Sequence, residues 1–327
     1  MDTPRISVVM AVKDGALYVE EAVRSVMAQD FTDIEIVVVD DGSQDETPAI
    51  LERLQSEDTR LRVVTNTTNI GLARSLNAGL EAAQGHYIAR LDADDVARPR
   101  WLSTLHTYME SHTNLVLTGA SVCNIAPDGR PLKIRRLTHG PNELRWALRF
   151  HSPIVHPTVM FRRAHHNLRY DPTFRTTEDY DLFARLLADA EGANVPDVLV
   201  NYRIHPKSIS QSRWREQMQE AKTIAFRVQK ADFPQDVIEA LSDFHASYFD
   251  FEPRPAKAIL AGLKAAAHFE RTKVSRRWLS EEVMRLFMMA MSRTGHSKQS
   301  IAYHALLMAP DFAIRAGIAR LVDRITR

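Results

Sequence analysis

The sequence predicts an α/β fold over roughly its first 210 residues and an all-helical remainder, on three observations. Four apolar, β-branched runs recur at Ile6–Val12, Ile34–Val39, Leu61–Val64 and Tyr87–Leu91, each separated from the next by a segment with helical spacing. Such alternation favours a parallel sheet covered by helices on both faces. Acidic clusters, Asp40-Asp41 and Asp92-Ala93-Asp94-Asp95, follow the second and fourth runs, and open sheets of this class bind ligands in the loops beyond the carboxyl ends of their strands. From about Gln211 onward no strand-like run occurs, so a boundary is expected near Ser212.

The elements follow in order. Between the first two runs, Tyr18, Ala22, Val23, Val26 and Met27 form one apolar stripe of a helix. Thr47 followed by Pro48 reads as the cap and first position of the next helix. After Gly71, Leu72, Leu76 and Leu80 recur at intervals of four. Leu115 to Ile125 reads as a strand, Asp128-Gly129 as a turn, Pro141 as the start of a short helix containing Trp146, and Thr158 to Phe161 as a strand. Glu178 to Leu187 is helical by its Tyr180, Phe183, Leu187 spacing, and Val195 to Ile204 is extended. A last helix over Phe312 to Arg327 sets Ile314, Ile318, Leu321, Val322 and Ile325 apart from Arg315, Arg320 and Arg324. It suits either domain packing with a solvated basic face or a helix lying on a membrane surface.

Composition narrows the class of function. The 327 residues are 45% hydrophobic and 25% charged, ordinary for one large core or two to three smaller units. With 42 Lys and Arg against 41 Asp and Glu, the total charge gives no basis for wholesale nucleic-acid binding. The last fifth is different: from Lys264 to Arg327 there are twelve Lys and Arg against five Asp and Glu. A single cysteine, Cys123, can form no internal disulfide, and neither a leader nor an apolar span of membrane length is visible, so a cytoplasmic protein is expected.

The acidic clusters carry the chemistry. If the fourth strand continues extended through the acids, Asp92 and Asp94 face one way and Asp95 the other. Two carboxylates on one face suit a hard divalent cation such as Mg2+ or Mn2+, whose remaining positions accept phosphate oxygens. An isolated Asp-x-Asp also fits a solvated turn. Asp40 ends a buried strand, where it can accept from a base N–H or cap the next helix, while Asp45 is placed to cap. Asn69 and Gly71 stand at a strand-to-helix junction with Arg74 one turn in, suited to an anion or to a simple cap with a surface arginine.

The succession "ISVVMAVKDGALYVEEAVRSVMAQDFTDIEIVVVDDGSQDET", "TNIGLARSLNAGLEAAQGHYIARLDADD", "HPTVMFRR", "TEDYDLFARL" and "YRIHPKSIS" resembles the family 2 glycosyltransferases over about residues 5–210. The resemblance implies a GT-A type, nucleotide-binding, Rossmann-like mixed sheet flanked by helices, with a C-terminal all-helical extension. In its terms residues 1–98 are the nucleotide-sugar-binding half, 99–211 the acceptor-binding half of the same domain, and 212–327 the helical region. It implies donor contacts at Ala11, Asp40, Asp41, Asn69, Arg74, Asp92 and Ala93, with Asp40 at the base and Asp92 at the nucleotide or sugar. It puts the metal at Asp94 with His205, the diphosphate at His205 and Ser208, the catalytic base at Asp179, and the acceptor or its surroundings at Glu178 and His156. The family's first motif is usually Pro-x-Tyr-Asn, whereas this chain has Ala11-Val12-Lys13-Asp14, so the aromatic that would stack on a nucleobase is replaced by Lys13.

The activity implied is inverting transfer of a sugar from a nucleotide-diphospho sugar, UDP-linked by expectation, to a glycan or lipid-linked acceptor, with a Mn2+ or Mg2+ cofactor. Some positions keep more than one reading. Glu178 serves the acceptor or simply favours a helix N-terminus. His205 ligates metal, pairs with phosphate, or is structural. His156 marks a strand entrance or lines the acceptor pocket, and Trp101 and Trp146 are core or acceptor-wall aromatics. The rival readings are a dinucleotide oxidoreductase, which lacks its Gly-x-Gly-x-x-Gly after the first strand, and a non-catalytic sugar-nucleotide-binding scaffold of a membrane-associated glycan assembly. The basic C-terminal segment suggests peripheral contact with the inner face of the membrane.

Overall fold

A computed structural model describes residues 3–137, 140–165, 168–206, 208, 212–270 and 274–294. The predicted helix at Phe312 to Arg327 lies outside the described residues. The chain forms two compact units, Met1–Glu220 and Ala221–Arg327.

The first unit opens with β1 (Ile6–Val12), α1 (Val19–Met27), β2 (Ile34–Asp40), α2 (Thr47–Glu57), β3 (Leu61–Thr65), α3 (Leu72–Ala82) and β4 (Tyr87–Arg90). These four strands are mutually parallel in the order β3-β2-β1-β4. Ile6, Val8, Val9 and Met10 on β1 are all buried, because helices cover both faces and leave no side of the strand for polar residues. α1 is amphipathic for the opposite reason, burying only Val19, Ala22, Val23 and Val26.

The second half continues with β5 (Val96–Ala97), α4 (Trp101–Ser111), β6 (Leu115–Ile125), β7 (Pro131–Arg135), α5 (Pro141–Ala147), β8 (Met160–Arg162), α6 (Glu178–Leu186) and β9 (Glu191–Arg203). β8 pairs antiparallel with both β4 and β6, β9 runs parallel to β6, and β5 pairs antiparallel with β9. Among the described residues the result is one nine-stranded mixed sheet, β3-β2-β1-β4-β8-β6-β9-β5, with β7 attached to β6.

Several expectations need correction. The fourth strand does not run through the acids: β4 stops at Arg90, and Asp95 N–H closes a turn on the Asp92 carbonyl at 3.2 Å. Thr47 is not a cap; its hydroxyl accepts from Gly15 N–H at 2.9 Å, and Asp45 accepts from Thr47 N–H at 2.9 Å instead. Tyr18 does not belong to the buried stripe of α1 but precedes the helix, half-buried. The strand foreseen at Thr158 begins only at Met160, after a 3-10 turn at His156–Thr158. Trp101 and Trp146 are fully buried core residues, the former donating to the Thr158 carbonyl at 3.1 Å.

A long helix, α7 (Trp214–Asp232), leaves the first unit and enters the second, where α8 (Gln235–Ala240), α9 (Ser242–Phe249), α10 (Ala256–Glu270) and α11 (Arg276–Arg293) follow. Phe244, Phe249, Leu263 and Phe287 form the fully buried core of this helical unit. No described helix is long and apolar enough to cross a membrane.

Candidate active site

Because β1 to β4 are parallel, their carboxyl ends open on one edge of the sheet, and a cleft of about 1150 Å³ lies there. Ala11, Asp41, Asn69, Arg74, Asp92, Ala93, Asp94, His205 and Ser208 line it; Asp40, His156, Glu178 and Asp179 do not. Backbone and carboxylates tie the three loops beyond β1, β2 and β3 together. Asp14, at φ +50, accepts from Gln44 N–H at 2.8 Å, while its own N–H donates to Ser43 Oγ at 2.9 Å. Asp41 accepts from Ile70 N–H at 2.8 Å, Gly71 N–H at 2.9 Å and Asn66 Nδ2 at 3.0 Å. Asn69 Oδ1 accepts from the same Gly71 N–H, and Gly71 opens α3 at φ +91, a conformation glycine takes without strain. Asp40 is buried and accepts from Ser43 N–H at 3.0 Å.

The acidic turn beyond β4 is held by two buried arginines. Arg90, the last residue of β4, is only 3% exposed and ion-pairs with Asp92, while its Nε and Nη1 are buried with no hydrogen-bond partner among the described residues. Arg203, at the end of β9, donates its backbone N–H to Asp95 Oδ1 at 2.7 Å and its Nε to the Asp94 carbonyl at 2.8 Å. Its other nitrogens reach the Pro127 carbonyl at 2.8 Å and Glu21 at 2.6 Å, and its guanidinium lies 4.5 Å above the Tyr18 ring. Asp92, Asp94 and Asp95 consequently bring one carboxylate oxygen each within 4.8 Å of one another. His205 Nε2 is 2.8 Å from Asp94 Oδ2, and the Tyr18 ring centre is 5.4 Å from that of His205. Burial, then the charge of Asp92, raises the Asp94 carboxyl above its ordinary range; burial pushes Asp95 well up.

This donor set fits a hard divalent cation. It offers carboxylate oxygens that face the cleft at Asp92 and Asp94, a buried Asp95 Oδ2 without a hydrogen-bond partner among the described residues, and an imidazole nitrogen beside them.

Glu178 and Asp179 begin α6. Glu178 is 5% exposed; burial first, then Asp179, pushes its carboxyl up to about 8. Asp179 accepts from Tyr180 N–H at 2.7 Å, and burial pushes it up to about 6 against the opposing charge of Arg90. His156 Nδ1 stands 3.9 Å from Glu178, and its Nε2 is 2.7 Å from the Tyr170 hydroxyl. Asn77 fixes Tyr170 by a reciprocal pair of 2.8 Å bonds to its backbone, and burial drives His156 well below its ordinary value. Although the acidic pair does not line the cleft, Pro172, Phe174 and Arg175, just ahead of it, do.

Arg90, Arg203 and Tyr18 escape a reading of the sequence. Arg90 lies inside an apolar strand run, the one signal available: a charge there needs a buried partner. Arg203 and Tyr18 carry no comparable mark, since a surface role suits either as well.

A helix-flanked mixed sheet with ligand loops at the ends of its parallel strands, followed by a helical region, is the GT-A architecture. The sequence matches the pattern of glycosyl transferase family 2 over residues 7–169, and the chain belongs to that family. An uncharacterized glycosyltransferase of Haemophilus influenzae is 30% identical over 276 residues, covering 79% of this chain and 84% of its own. The putative teichuronic acid biosynthesis glycosyltransferase TuaG of Bacillus subtilis is 34% identical over 217 residues, 65% of this chain and 84% of its own. Among solved structures, a S. aureus TarS fragment in complex with UDP-GlcNAc superposes with a TM-score of 0.60 at 18% identity, over 98% of this chain and 90% of that one.

Proposed function

We propose that this glycosyltransferase is an inverting, divalent-cation-dependent enzyme that moves a hexosyl or related unit from a nucleotide-diphospho sugar to a glycan or lipid-linked acceptor in polysaccharide or glycoconjugate biosynthesis. The observation that carries the reading is the acidic turn: Asp92 and Asp94 face the cleft, His205 lies against Asp94, and a helix-borne carboxylate pair stands nearby. UDP is the proposed carrier, with support from the TarS fragment's ligand, and the relative named for teichuronic acid biosynthesis supports a polymer acceptor.

In this reading residues 1–98 receive the donor, residues 99–211 the acceptor, and residues 212–327 are a helical addition. Asn69 serves the nucleoside, with Asp40, buried behind the cleft lining, acting on it through the Ser43 turn that it holds, and with Ala11 and Asp41 shaping the floor of the cleft; Asp92 and Ala93 meet the donor sugar; Arg74, His205 and Ser208 meet the diphosphate. Asp94 and His205 would hold a Mn2+ or Mg2+ ion, which when bound neutralises charge on the departing diphosphate. Asp179 accepts the proton of the acceptor hydroxyl as its oxygen bonds to the anomeric carbon and the bond from that carbon to the diphosphate breaks, inverting the centre. A carboxyl raised to about 6 remains largely ionised at neutral pH yet is a stronger base than an ordinary aspartate. Glu178 and the His156–Tyr170 pair support the base from beneath. A single free cysteine, Cys123, buried in the sheet, accords with a cytoplasmic setting, and the basic segment from Lys264 onward with contact to an anionic bilayer.

The test is thermal stabilisation by UDP-GlcNAc, UDP-glucose, UDP-galactose and GDP-mannose, each with and without Mn2+. At least one sugar nucleotide should raise the melting temperature only with the metal, and Asp94→Ala should remove that gain. Metal-dependent stabilisation that survives Asp94→Ala would refute the assignment. Release of nucleoside diphosphate then separates an enzyme from a binding scaffold, which would release none.

A further inference from the structure

The residue ahead of the acidic pair does not spend its side chain on the helix. Thr177 precedes α6 as its N-cap residue, yet its side chain makes no bond into the helix. Its hydroxyl donates instead to Glu220 on α7, at 3.0 Å. The Glu220 carboxylate also accepts from Arg175 N–H at 3.0 Å, from Thr176 N–H at 2.9 Å and from Thr176 Oγ1 at 2.8 Å. One turn earlier on the same helix, Gln217 donates to the Thr176 carbonyl at 3.0 Å. Thr176 and Thr177 are buried beneath these contacts, and Glu220 itself is half-buried.

One carboxylate thereby collects four donors from three consecutive residues. The clamped segment joins two parts of the site: Pro172, Phe174 and Arg175 line the cleft on its one side, and Glu178 and Asp179 follow on its other. Fixing a base to within a fraction of an ångström matters because displacement of about 1 Å can cost a hundredfold in rate. A glutamine can satisfy only one side of this clamp, since its amide nitrogen would meet either Arg175 N–H or Thr176 N–H with a donor of its own.

We propose that Glu220 is a positioning residue for sugar transfer: through Arg175, Thr176 and Thr177 it sets the place of Asp179 relative to the cleft. This rests on the reading of Asp179 as the base. It assigns a part in the reaction to a residue far beyond the acidic motifs, on the first helix after the sheet.

The test compares Glu220→Gln, Asp179→Asn and the double variant, using the sugar nucleotide from the panel above that gives the largest Mn2+-dependent stabilisation. The rate of nucleoside diphosphate release at saturating donor, the KM for the donor, and amide exchange over residues 172–181 are measured for each. Glu220→Gln should lower kcat about tenfold to a hundredfold, leave the donor KM and metal-dependent stabilisation unchanged, and speed exchange at Arg175 and Thr176. In the Asp179→Asn background it should cause no further loss, because a residue acting through another has no effect once that other is gone. Unchanged kcat in Glu220→Gln, equal loss in both backgrounds, or loss of donor binding together with kcat would each overturn the proposal. Full turnover in Asp179→Asn alone would overturn the base itself, in an arm that contains no change at Glu220.

Discussion

Replacement of Asp179 by asparagine gives a prediction in two opposite directions, activity down and stability up. Burial raises this carboxyl from its ordinary 3.8 to about 6, so ionising it costs more in the folded chain than in the unfolded one. The sign follows: stability from this group is greatest below 3.8, falls as pH rises from 3.8 to 6, and is constant above. The rise from 3.8 to about 6 corresponds to about 3 kcal/mol lost by pH 7. Asparagine keeps the shape and the oxygen that accepts from Tyr180 N–H but carries no charge, so Asp179→Asn should gain up to about 3 kcal/mol at pH 7 and only about 0.5 kcal/mol at pH 4. Activity should fall by about 10²- to 10⁴-fold, the usual worth of a general base. In the parent enzyme, kcat should drop about tenfold between pH 7 and pH 5 as the fraction of ionised base falls. The variant should lose that acid limb. Urea denaturation at pH 4 and pH 7, with kcat at saturating donor from pH 5 to pH 8, reads all three effects. A variant that keeps full turnover, or that loses stability at pH 7, would refute the reasoning.

Two further outcomes are expected. Arg203→Met removes the guanidinium that braces the Asp94-Asp95 turn and leaves the Asp94 and Pro127 carbonyls without it, while Glu21, 55% exposed, is taken up by water; it should cost about 1–3 kcal/mol, read from the urea midpoint; a loss below about 0.5 kcal/mol would show the turn to be held by other contacts. Removal of residues 300–327 should reduce sedimentation with phosphatidylserine-containing vesicles, and unchanged sedimentation would discard the basic C-terminus as a membrane contact.

The strands were legible where one physical rule decided them. β1, β2 and β4 are largely buried on both faces because helices cover both, and such runs stand out against polar loops; β3, at the edge, shows through Leu61, Val63 and Val64, and Leu115 to Ile125 was readable as a mostly buried run. The missing elements lack that contrast. β7 has all five residues exposed, and β5 is two residues long, so neither has an apolar pattern to detect. The carboxyl ends of the first four strands could be placed, and with them Ala11, Asp41, Asn69 and Asp92, since a parallel sheet puts all those ends on one edge. The direction of the later strands could not: whether β8 runs with or against β4 depends on packing between segments some seventy residues apart. Arg90 and Arg203 were hidden because a buried cation is decided by its partners: Glu21 and Asp95 lie more than a hundred positions from Arg203, and Asp92, two residues beyond Arg90, meets it only because the chain turns there. The pairing of Glu220 with Thr176 and Thr177 is invisible in the same way, as neither helix pattern marks which polar residue faces the other chain segment.

How His205 comes to lie against Asp94, across 111 positions of sequence, is a matter of register. β6 and β9 run parallel with Ile125 beside Arg203, and β5 closes on β9 with Val96 beside Asn201 and Ala97 beside Val200. Arg98 N–H adds a bond to the Leu199 carbonyl at 2.9 Å, and its Nε reaches Asn201 Oδ1 at 3.0 Å. The chain leaving β5 backward toward the acidic turn and the chain leaving β9 forward toward His205 therefore travel together, since antiparallel neighbours keep step residue by residue. A slip of one residue would turn every side chain of β5 to the other face and carry Asp94 away from the imidazole. The two-residue strand is too short to fix that register alone. Arg203 completes it, with a backbone N–H on Asp95 and a guanidinium on the Asp94 carbonyl, so that the acidic turn is built as much from the end of the sheet as from the strand that leads into it.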